Sequence, residues 1–490
     1  MKYSLPISAF VCLLSFHSGL SIANDSAFEE LAELKRNANA PFEEQKKEFY
    51  AWLDNYLSEY ESWRDQYTAG LDQKKLELID SWGSGEVDSK TKSVEYSKNN
   101  QTKQVIDYEN NTITVSALVS TDEELQKAKS QLSQHQLTLG GQTLDLSQAT
   151  VNQASVQYSA SAENSEKNFI IEQTLSQMNE LDVQAERLVL ANTGIPESFI
   201  RERAHTKKIE LLKHSKDRIA NIAHKYQQKR REFGLPEQPT VVNAELASDD
   251  TSSKPSHTPP PEQVAKQPTS QQLPEAEQAP KKIVAKPPVT QPVKSHKPKT
   301  IVSYTIKLPE GNLKARASQY QPLAAKESKK WDIDQALVMA IMHSESAFRP
   351  NAKSHIPAFG LMQVVPTSAG HDVNKRIHNI DSPMPVQDLY QPPKNVATGT
   401  AYLHILNDKY LRSIKDDKSR LYCVIAAYNT GAGNVARAFN PDRSTSIKKA
   451  AKIINTMSPQ QVYDHLVANL PYDETKNYLR KVNSRIALYM

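Results

Sequence analysis

The order of apolar and polar positions predicts a helical segment, a β-hairpin and a second helical segment in the first half of the chain. Apolar residues recur at helical spacing within 25–82, and Gly83 ends that pattern. Alternating β-branched residues at 105–108 and 112–115, separated by three polar residues, predict a hairpin. A polar helical pattern with intermittent apolar points follows over about 164–231. This half contains no motif typical of catalysis.

The composition changes sharply at residues 236–300. Prolines recur there among Gln, Lys, Ser, Thr and Glu, and no Phe, Trp or Tyr is present. Such a segment cannot bury a core, so the sequence predicts an extended, disordered linker. Because 490 residues exceed one compact core, we expect a multidomain protein. Its fold class is an α+β accessory domain at 24–235, the Pro-rich linker, and a mainly α domain at 301–490, where strand signals are few.

The N-terminus predicts a secretory signal peptide over residues 1–23. Met1-Lys2 precedes a mostly apolar run at 5–16, and Ser21-Ile22-Ala23 offers a small-x-small cleavage site. An uncleaved anchor helix is the alternative, but the run is short for the about 20 residues of a membrane span. Export would place the protein in the periplasm. Cys12 follows a valine instead of a small residue, so the sequence has no convincing lipid-attachment signal, and peripheral association with the outer membrane stays open.

The charge distribution favours an anionic polymer as partner of the C-terminal domain. Residues 301–490 contain 25 Lys and Arg against 15 Asp and Glu, a formal charge of +10, whereas the rest of the chain carries −6. In an exported protein this favours cell-wall glycan with its peptide carboxylates, or lipid headgroups, over nucleic acid. A generally basic surface without specific meaning is the alternative.

Glu345 is the candidate catalytic residue. Asp334 is a plausible N-cap for a helix in which Glu345 follows Leu337 and Ile341 on the apolar face. Burial would raise the pKa of a carboxyl in that position, which suits a general acid working near neutral pH. The alternative is an exposed Glu at a fraying helix end.

Three further motifs carry polar and aromatic groups suited to a sugar. Residues 360–363 (Gly-Leu-Met-Gln) predict a turn entering a helix, with an amide donor and a flexible apolar side chain offered to a groove. Residues 427–429 (Ala-Tyr-Asn) precede a Gly-Ala-Gly turn, which is also typical of an ordinary helix end. Tyr478 lies on a helix with Val482, where core packing is the alternative. The histidines lack ligand spacing, so we expect no metal or other cofactor, and His343 is predicted on a helix surface.

Together these motifs resemble the lysozyme-like catalytic domain of lytic transglycosylases, over about residues 303–483. Glu-Ser at 345–346, Ser354, and the motifs at 360–363 and 427–429, with Tyr478 last, occur in the family's order and at similar spacing. The phrases at 358–366 and 463–482 are most similar to its membrane-bound, C-type murein subfamily, and residues 82–87 are similar to the accessory domain of that subfamily.

The resemblance implies nonhydrolytic cleavage of the β-1,4 bond between N-acetylmuramic acid and N-acetylglucosamine in peptidoglycan strands. It implies that Glu345 acts first as acid and then as base to give 1,6-anhydromuramoyl ends, in cell-wall turnover or remodelling. Tyr478 would orient Glu345 or stabilise the cationic transition state. By the same resemblance, Ser354 and Gln363 would hydrogen-bond the reacting sugar, and three residues would line the glycan groove: Met362, Tyr428 and Asn429.

Two other functions stay open. A goose-type lysozyme-like hydrolase would use water in place of the muramoyl C6 hydroxyl, although the motifs offer no obvious second catalytic carboxylate of the kind that ordinary glycosidases use. A noncatalytic cell-wall-binding or assembly protein could have kept the same fold. The missing lipid-attachment signal and the long linker depart from the subfamily and leave membrane attachment open.

Overall fold

The structure, a computed structural model, describes residues 42–134, 136–139, 142–190, 195–236, 299–309, 311–356 and 358–490. The predicted signal peptide, the first part of the predicted N-terminal helix and all but the ends of the predicted linker lie outside the described residues. No helix among the described residues is long and apolar enough to cross a membrane.

Three long helices form the frame of the accessory domain. They are α1 (Phe42–Trp82), α3 (Ala160–Leu190) and α4 (Glu197–Glu232). Their apolar residues meet in two small clusters, one built around Phe49 and Phe199 and one around Ile79 and Tyr226. The predicted stop at Gly83 is confirmed, since this glycine follows α1 directly with a φ of +80°.

A five-stranded antiparallel sheet completes the accessory domain, in the order β1-β2-β3-β7-β6. Its strands are β1 (Lys92–Tyr96), β2 (Thr102–Asp107), β3 (Thr112–Val119), β6 (Thr150–Ser155) and β7 (Thr300–Lys307). A separate pair consists of β4 (Gln136–Leu139) and β5 (Gln142–Asp145). The predicted hairpin is confirmed as β2 and β3, which pair Ile106 with Ile113.

Helix α2 (Asp122–Ser133) covers one face of this sheet. Thr121 caps it, since its hydroxyl accepts from the N–H of Glu124. The alternating residues of β3 and β7 place Ile113 and Val302 in the cluster between sheet and helix. This burial explains why the two strands form despite nearly 200 intervening residues.

Strand β7 differs from the sequence prediction. Its residues were assigned to the mainly α domain because strand signals were few there, but β7 lies between β3 and β6 of the accessory sheet. The alternation of Ile301, Val302, Tyr304 and Ile306 is a strand pattern, and both edges of the strand are hydrogen-bonded. The chain therefore returns from the far side of the predicted linker into the accessory sheet before it enters the C-terminal domain.

The C-terminal domain, residues 311–490, is helical as predicted. Its long helices enclose one core. In chain order the α-helices are α5 (Asn312–Trp331), α6 (Gln335–Ser346), α7 (His371–Val373), α8 (Val386–Leu389), α9 (Pro392–Ile405), α10 (Asp417–Thr430), α11 (Ala432–Phe439), α12 (Ile447–Ile454), α13 (Pro459–Asn469) and α14 (Asp473–Ile486). Three π-helical turns, Pro366–Gly370, Asn374–His378 and Leu406–Tyr410, adjoin α7 and α9.

Helix α3 joins the two domains, because it lies against the C-terminal domain over several turns. Near its middle the Gln173 amide donates to the backbone oxygen of His355 at 2.7 Å. Near its end the Arg187 guanidinium forms an ion pair with Asp372 at 2.8 Å. The accessory domain therefore supplies one wall of any site that lies along this helix.

Candidate active site

Glu345 lies in the last turn of α6, as the sequence predicts. The Asp334 carboxylate caps the start of this helix by accepting from the N–H of Ala336 at 2.6 Å. The helix ends at Ala347, whose φ of +48° is left-handed. Only 5% of Glu345 is exposed, so the alternative of a solvent-exposed Glu at a frayed end is wrong.

His343, in the same turn, departs from the prediction of a surface residue. It is buried, and its Nδ1 forms a hydrogen bond of 2.9 Å with the Tyr489 hydroxyl. Burial lowers the pKa of His343 to about 4, so the ring is neutral near pH 7. The C-terminal end of the chain covers this helix face, which the local pattern could not show.

Burial raises the pKa of Glu345, as expected for a general acid. The ammonium of Lys90 opposes this, and so does the Tyr478 hydroxyl, whereas the charge of Glu474 raises the pKa further. Lys90 Nζ lies 3.8 Å from Glu345 Oε2 and 3.4 Å from Glu474 Oε1. Glu474, to which the sequence motifs assign no role, therefore shares the Lys90 ammonium with Glu345, the candidate acid.

Glu474 is held by groups of the accessory domain. The Ser176 hydroxyl of α3 donates to its Oε2 at 3.0 Å, while Lys90 contacts Oε1. Although burial opposes the shift, Lys90 and Ser176 lower the pKa of Glu474. This carboxylate is therefore ionised at neutral pH and occupied by two partners.

Tyr478 lies on α14 and faces Glu345. It is 4% exposed, and burial together with the charge of Glu345 raises the pKa of its hydroxyl well above the usual value. Among the described residues, no atom meets ordinary hydrogen-bond geometry with the Tyr478 hydroxyl. The interaction between this hydroxyl and the Glu345 carboxyl nevertheless lowers the pKa of Glu345. A buried hydroxyl whose interaction with Glu345 falls short of ordinary hydrogen-bond geometry is available to a ligand.

The turn at 360–363 presents an acceptor instead of the predicted donor. The amide nitrogen of Gln363 donates to the backbone oxygens of Gly360 at 2.9 Å and Ala352 at 3.1 Å. Its Oε1 is buried and has no partner among the described residues. Gln363 also has a left-handed φ of +47°, so the turn holds this side chain in one orientation.

Two serines have different surroundings. Ser346 is fully buried and donates to the backbone oxygens of Met342 and Leu361, in the structural role predicted for it. Ser354 is also buried, and its Oγ accepts from the N–H of Ala358 at 3.3 Å. This contact uses the oxygen of Ser354 and leaves its hydroxyl proton available to a ligand.

The three residues predicted to line the glycan groove are Met362, Tyr428 and Asn429. The structure places the Met362 side chain in the core, with its sulfur against Gly399, and this differs from the prediction that Met362 lines the groove. The glycine leaves space that the thioether fills. Tyr428 donates to the backbone oxygen of Met362 at 2.9 Å, and Asn429 Oδ1 accepts from the Thr475 hydroxyl at 2.7 Å.

A small cavity of about 50 Å³ lies where α3 crosses the C-terminal domain. Gln363, Tyr428 and Asn429 line it from the C-terminal domain, and Glu180 and Val183 line it from α3. Burial raises the pKa of Glu180 to about 7, so this wall can present a neutral carboxyl.

Sequence reasoning missed the accessory-domain residues at this site. Lys90, Ser176 and Glu180 lie in polar stretches without a catalytic pattern, and only long-range packing brings them to Glu345 and Gln363. The described part of the chain contains no group of three or more His, Cys, Asp or Glu side chains that could hold a metal ion.

The geometry can be compared with known proteins. Residues 322–451, which include Glu345, Ser354, Gln363 and the 427–429 motif, match the family described as "Transglycosylase SLT domain". This match covers 130 of the 490 residues. Tyr478 and α14 lie beyond the matched residues of the SLT domain, and so does the whole accessory domain.

Curated relatives with a name of the same kind are similar to this chain in part. "Membrane-bound lytic murein transglycosylase C" of Pectobacterium atrosepticum is 46% identical over 184 residues, which are 38% of this chain and 50% of the relative. The protein of that name from Salmonella paratyphi B is 45% identical over 184 residues, with the same shares of 38% and 50%. The chain thus spans about half the length of the curated relatives that it matches.

A solved structure matches a smaller share. The 70 kDa soluble lytic transglycosylase of Escherichia coli aligns with 35% of this chain and 24% of its own, at 26% identity and a TM-score of 0.27. A likeness of that extent adds nothing to the match of the SLT domain.

Proposed function

We propose that this protein is a peptidoglycan lytic transglycosylase that uses Glu345 as its only acid and base. The observation that carries the proposal is the buried carboxyl of Glu345 with the buried Tyr478 hydroxyl beside it, within an SLT domain whose relatives are named as lytic murein transglycosylases. The substrate is a strand of alternating N-acetylglucosamine and N-acetylmuramic acid.

The reaction has two proton transfers. The protonated Glu345 donates to the glycosidic oxygen, the bond from that oxygen to the muramoyl anomeric carbon breaks, and positive charge develops on that carbon. The N-acetyl oxygen of the same sugar relieves the charge. The Glu345 carboxylate then removes the proton of the C6 hydroxyl, whose oxygen bonds to the anomeric carbon and closes the 1,6-anhydro ring. Glu345 ends protonated, as it began, and no water is consumed.

The other residues bind and orient the sugar in this proposal. Gln363 Oε1 accepts from the N-acetyl N–H or a sugar hydroxyl, because its amide nitrogen is already engaged within the turn. Ser354 donates to a carbonyl of the same sugar. Tyr428 and Asn429 line the cavity beside it, and Tyr478 donates to Glu345 when that carboxyl is ionised.

A hydrolase is the second candidate, since one observation favours it. Glu474 is ionised near the acid, and inverting glycosidases use a second carboxylate to activate water. However, Lys90 and Ser176 already occupy both oxygens of Glu474, which leaves it poorly placed to take a proton from water. We therefore favour the transglycosylase reaction.

The domain organisation and location of the protein belong to the same proposal. We infer that residues 1–23 direct export to the periplasm and that the Pro-rich stretch up to residue 299 links two parts of one accessory sheet. The relatives are named as membrane-bound, and for this chain we propose a location in the cell envelope, next to the peptidoglycan.

Mass analysis of the products tests the reaction. Purified peptidoglycan is digested with the full-length mature protein, and the released muropeptides are weighed. We expect 1,6-anhydromuramoyl ends. Reducing ends, heavier by one water, would assign the hydrolase instead, and an unchanged substrate would leave only a binding function.

A further inference from the structure

Lys90 lies in a segment of the accessory domain, residues 84–91, that leads from α1 into β1. Its ammonium lies 3.8 Å from Glu345 Oε2 and 3.4 Å from Glu474 Oε1, whereas its side chain keeps 32% of its surface exposed. The SLT domain begins more than 200 residues later, so the family match does not include this cation.

The segment is fixed at its start by a buried ion pair. The Lys75 ammonium lies 2.7 Å from Glu166 Oε2 and donates to the backbone oxygen of Gly85 at 2.7 Å. Glu166 Oε1 accepts from the N–H of Gly85 at 2.6 Å. A Cβ at Gly85 would lie 2.9 Å from that of Lys75, so this close approach requires glycine.

The segment is fixed at its end by the C-terminal domain. Arg349 donates to the backbone oxygens of Ser89 at 2.9 Å and Lys92 at 2.7 Å, which flank Lys90 on both sides. Asp88 accepts from the N–H of Val94 at 2.7 Å and closes the turn. Because contacts from both domains hold this loop, its backbone has little freedom. The Lys90 side chain therefore extends from a fixed position at the interface.

The groups around Lys90 and Glu345 come from several neighbouring elements. Glu345 belongs to α6, and Glu474, Tyr478 and Lys481 belong to α14. The remaining ones are Tyr428 of α10, Glu109 of the β2–β3 turn, and His355, which interacts with both Lys90 and Glu474. Among the described residues, Glu345 and Glu474 are the anions that lie within 4 Å of the Lys90 ammonium.

We propose that Lys90 is a positioning residue for the reaction of Glu345. Its ammonium lies between the carboxyls of Glu345 and Glu474, holds the acid in its orientation, and balances the negative charge that stays on Glu345 after the proton has moved to the glycosidic oxygen. The inference rests on the proposed function, in which Glu345 is ionised in the middle of each turnover.

The groups around Glu345 shift its pKa in opposite directions. A cation next to a buried acid favours the ionised form and would weaken it as a proton donor. Burial and the charge of Glu474 act in the opposite direction, so Glu345 can be protonated before the reaction and stable as a carboxylate during it. Glu474 also limits the movement of the Lys90 ammonium. Its Oε1 contacts that ammonium, and the Ser176 hydroxyl holds its Oε2.

The pH dependence of kcat/KM on soluble glycan strands tests the inference. In Lys90→Gln we expect the alkaline limb, where Glu345 loses its proton, to move to higher pH, because the nearest cation is gone. We also expect the maximum to fall by about tenfold or more, since the ionised Glu345 lacks its counter-charge. Lys90→Arg keeps the charge and should retain the profile of the unmodified protein.

Lys92→Gln is the matched control. Lys92 is two residues along and pairs with Asp107 at 3.3 Å, away from Glu345, so its loss should leave the profile unchanged. Identical profiles for Lys90→Gln and the unmodified protein would overturn the inference. Equal losses in Lys90→Gln and Lys90→Arg without a pH shift would also overturn it, by pointing to packing.

The products separate this inference from the proposed function. Anhydro products with an unshifted alkaline limb in Lys90→Gln would overturn the role of Lys90 alone. Hydrolysed products with a shifted limb would overturn the transglycosylase reaction and still support Lys90 as the partner of the acid. Thermal unfolding of each variant shows whether the fold is intact, which we expect for a side chain that is one-third exposed.

Discussion

The carboxylate of Glu186 accepts a hydrogen bond from the backbone N–H of Gly433 at 2.6 Å, across the interface between the two domains. Glu186 lies on α3, and Gly433 lies in the first turn of α11, directly after the turn that follows Tyr428 and Asn429. A negative charge at a helix N-terminus is favourable, but complete burial raises the pKa of Glu186 to about 7. This contact between the two domains is therefore sensitive to pH.

This relationship predicts a loss of stability with rising pH. The pKa of Glu186 is higher in the folded than in the unfolded protein, so its contribution is fully present below about 4.5 and is lost as pH rises towards about 7. Glu186→Gln keeps an acceptor for Gly433 and removes the titration. Relative to the unmodified protein, we expect the variant to gain roughly 1–3 kcal/mol between pH 4.5 and 7.5.

Thermal or denaturant unfolding at the two pH values measures that difference. Glu180 also has a pKa raised to about 7 by burial, so the comparison is made between the two proteins at each pH and not within one protein. A difference that does not change with pH would mean that Glu186 is ionised in the folded state throughout.

Glu345→Gln is expected to abolish turnover and to preserve binding. The amide has the same shape but cannot give up a proton to the glycosidic oxygen, so the rate should fall by about 10³-fold or more. Muropeptide release measures turnover, and binding of soluble glycan strands is measured separately. Parallel loss of both would contradict the assigned role, and unchanged release would exclude Glu345 as the acid.

Tyr478→Phe should slow the reaction more than it weakens glycan binding. The hydroxyl lies beside Glu345 without a partner of ordinary geometry, so its removal takes away an interaction with the ionised acid. Because that hydroxyl has no partner of ordinary geometry, its loss should change the free energy of unfolding by no more than about 1 kcal/mol. The measurements are kcat, KM and thermal unfolding.

Tyr463→Phe is the control for that change. Tyr463 lies on α13 and packs against Tyr422, with ring centroids 5.1 Å apart. Its kinetics should match those of the unmodified protein. Equal losses of kcat and binding in Tyr478→Phe would assign Tyr478 a packing role.

Gly360→Ala should destabilise the protein by about 3 kcal/mol or more. The φ of Gly360 is +76°, and a Cβ there would lie 2.3 Å from the backbone oxygen of Leu389 and 2.4 Å from the Asn395 amide nitrogen. Both the left-handed backbone and the overlap are unfavourable. Because the same turn holds Gln363, glycan binding should fall as well.

Gly70→Ala provides the opposite control. Gly70 lies within α1 and has nothing within 4 Å of its missing Cβ. Alanine favours a helix more than glycine does, so this variant should gain about 0.5–1 kcal/mol. Equal effects of the two substitutions in denaturant unfolding would contradict the strain assigned to Gly360.

Local patterns predicted much of the fold because they depend on neighbouring residues. The stop at Gly83, the cap at Asp334 and the hairpin of β2 and β3 each follow from a few adjacent positions, and each is present. Strand β7 was missed although its alternation was visible. Its partners β3 and β6 lie before the linker, and a strand surrounded by helical patterns gives no sign of them.

Local patterns also predicted part of the candidate site. The apolar spacing of α6 indicated that Glu345 would be buried, and the motif order indicated which residues would accompany it. The side-chain directions were different, since Met362 entered the core against Gly399 and Gln363 turned its amide nitrogen inward. Such choices depend on which backbone oxygens and which gaps lie nearby in three dimensions.

The sequence by itself determined the helices, the hairpin, the burial of Glu345 and the kind of chemistry that its motifs resemble, because each is a property of short stretches of chain. Only the tertiary structure decided that Lys90 and Ser176 lie at the acid and at Glu474. These contacts join residues about 250 to 380 positions apart, and they form because the two domains bury facing surfaces against each other. Periodicity and spacing along the chain therefore do not predict them.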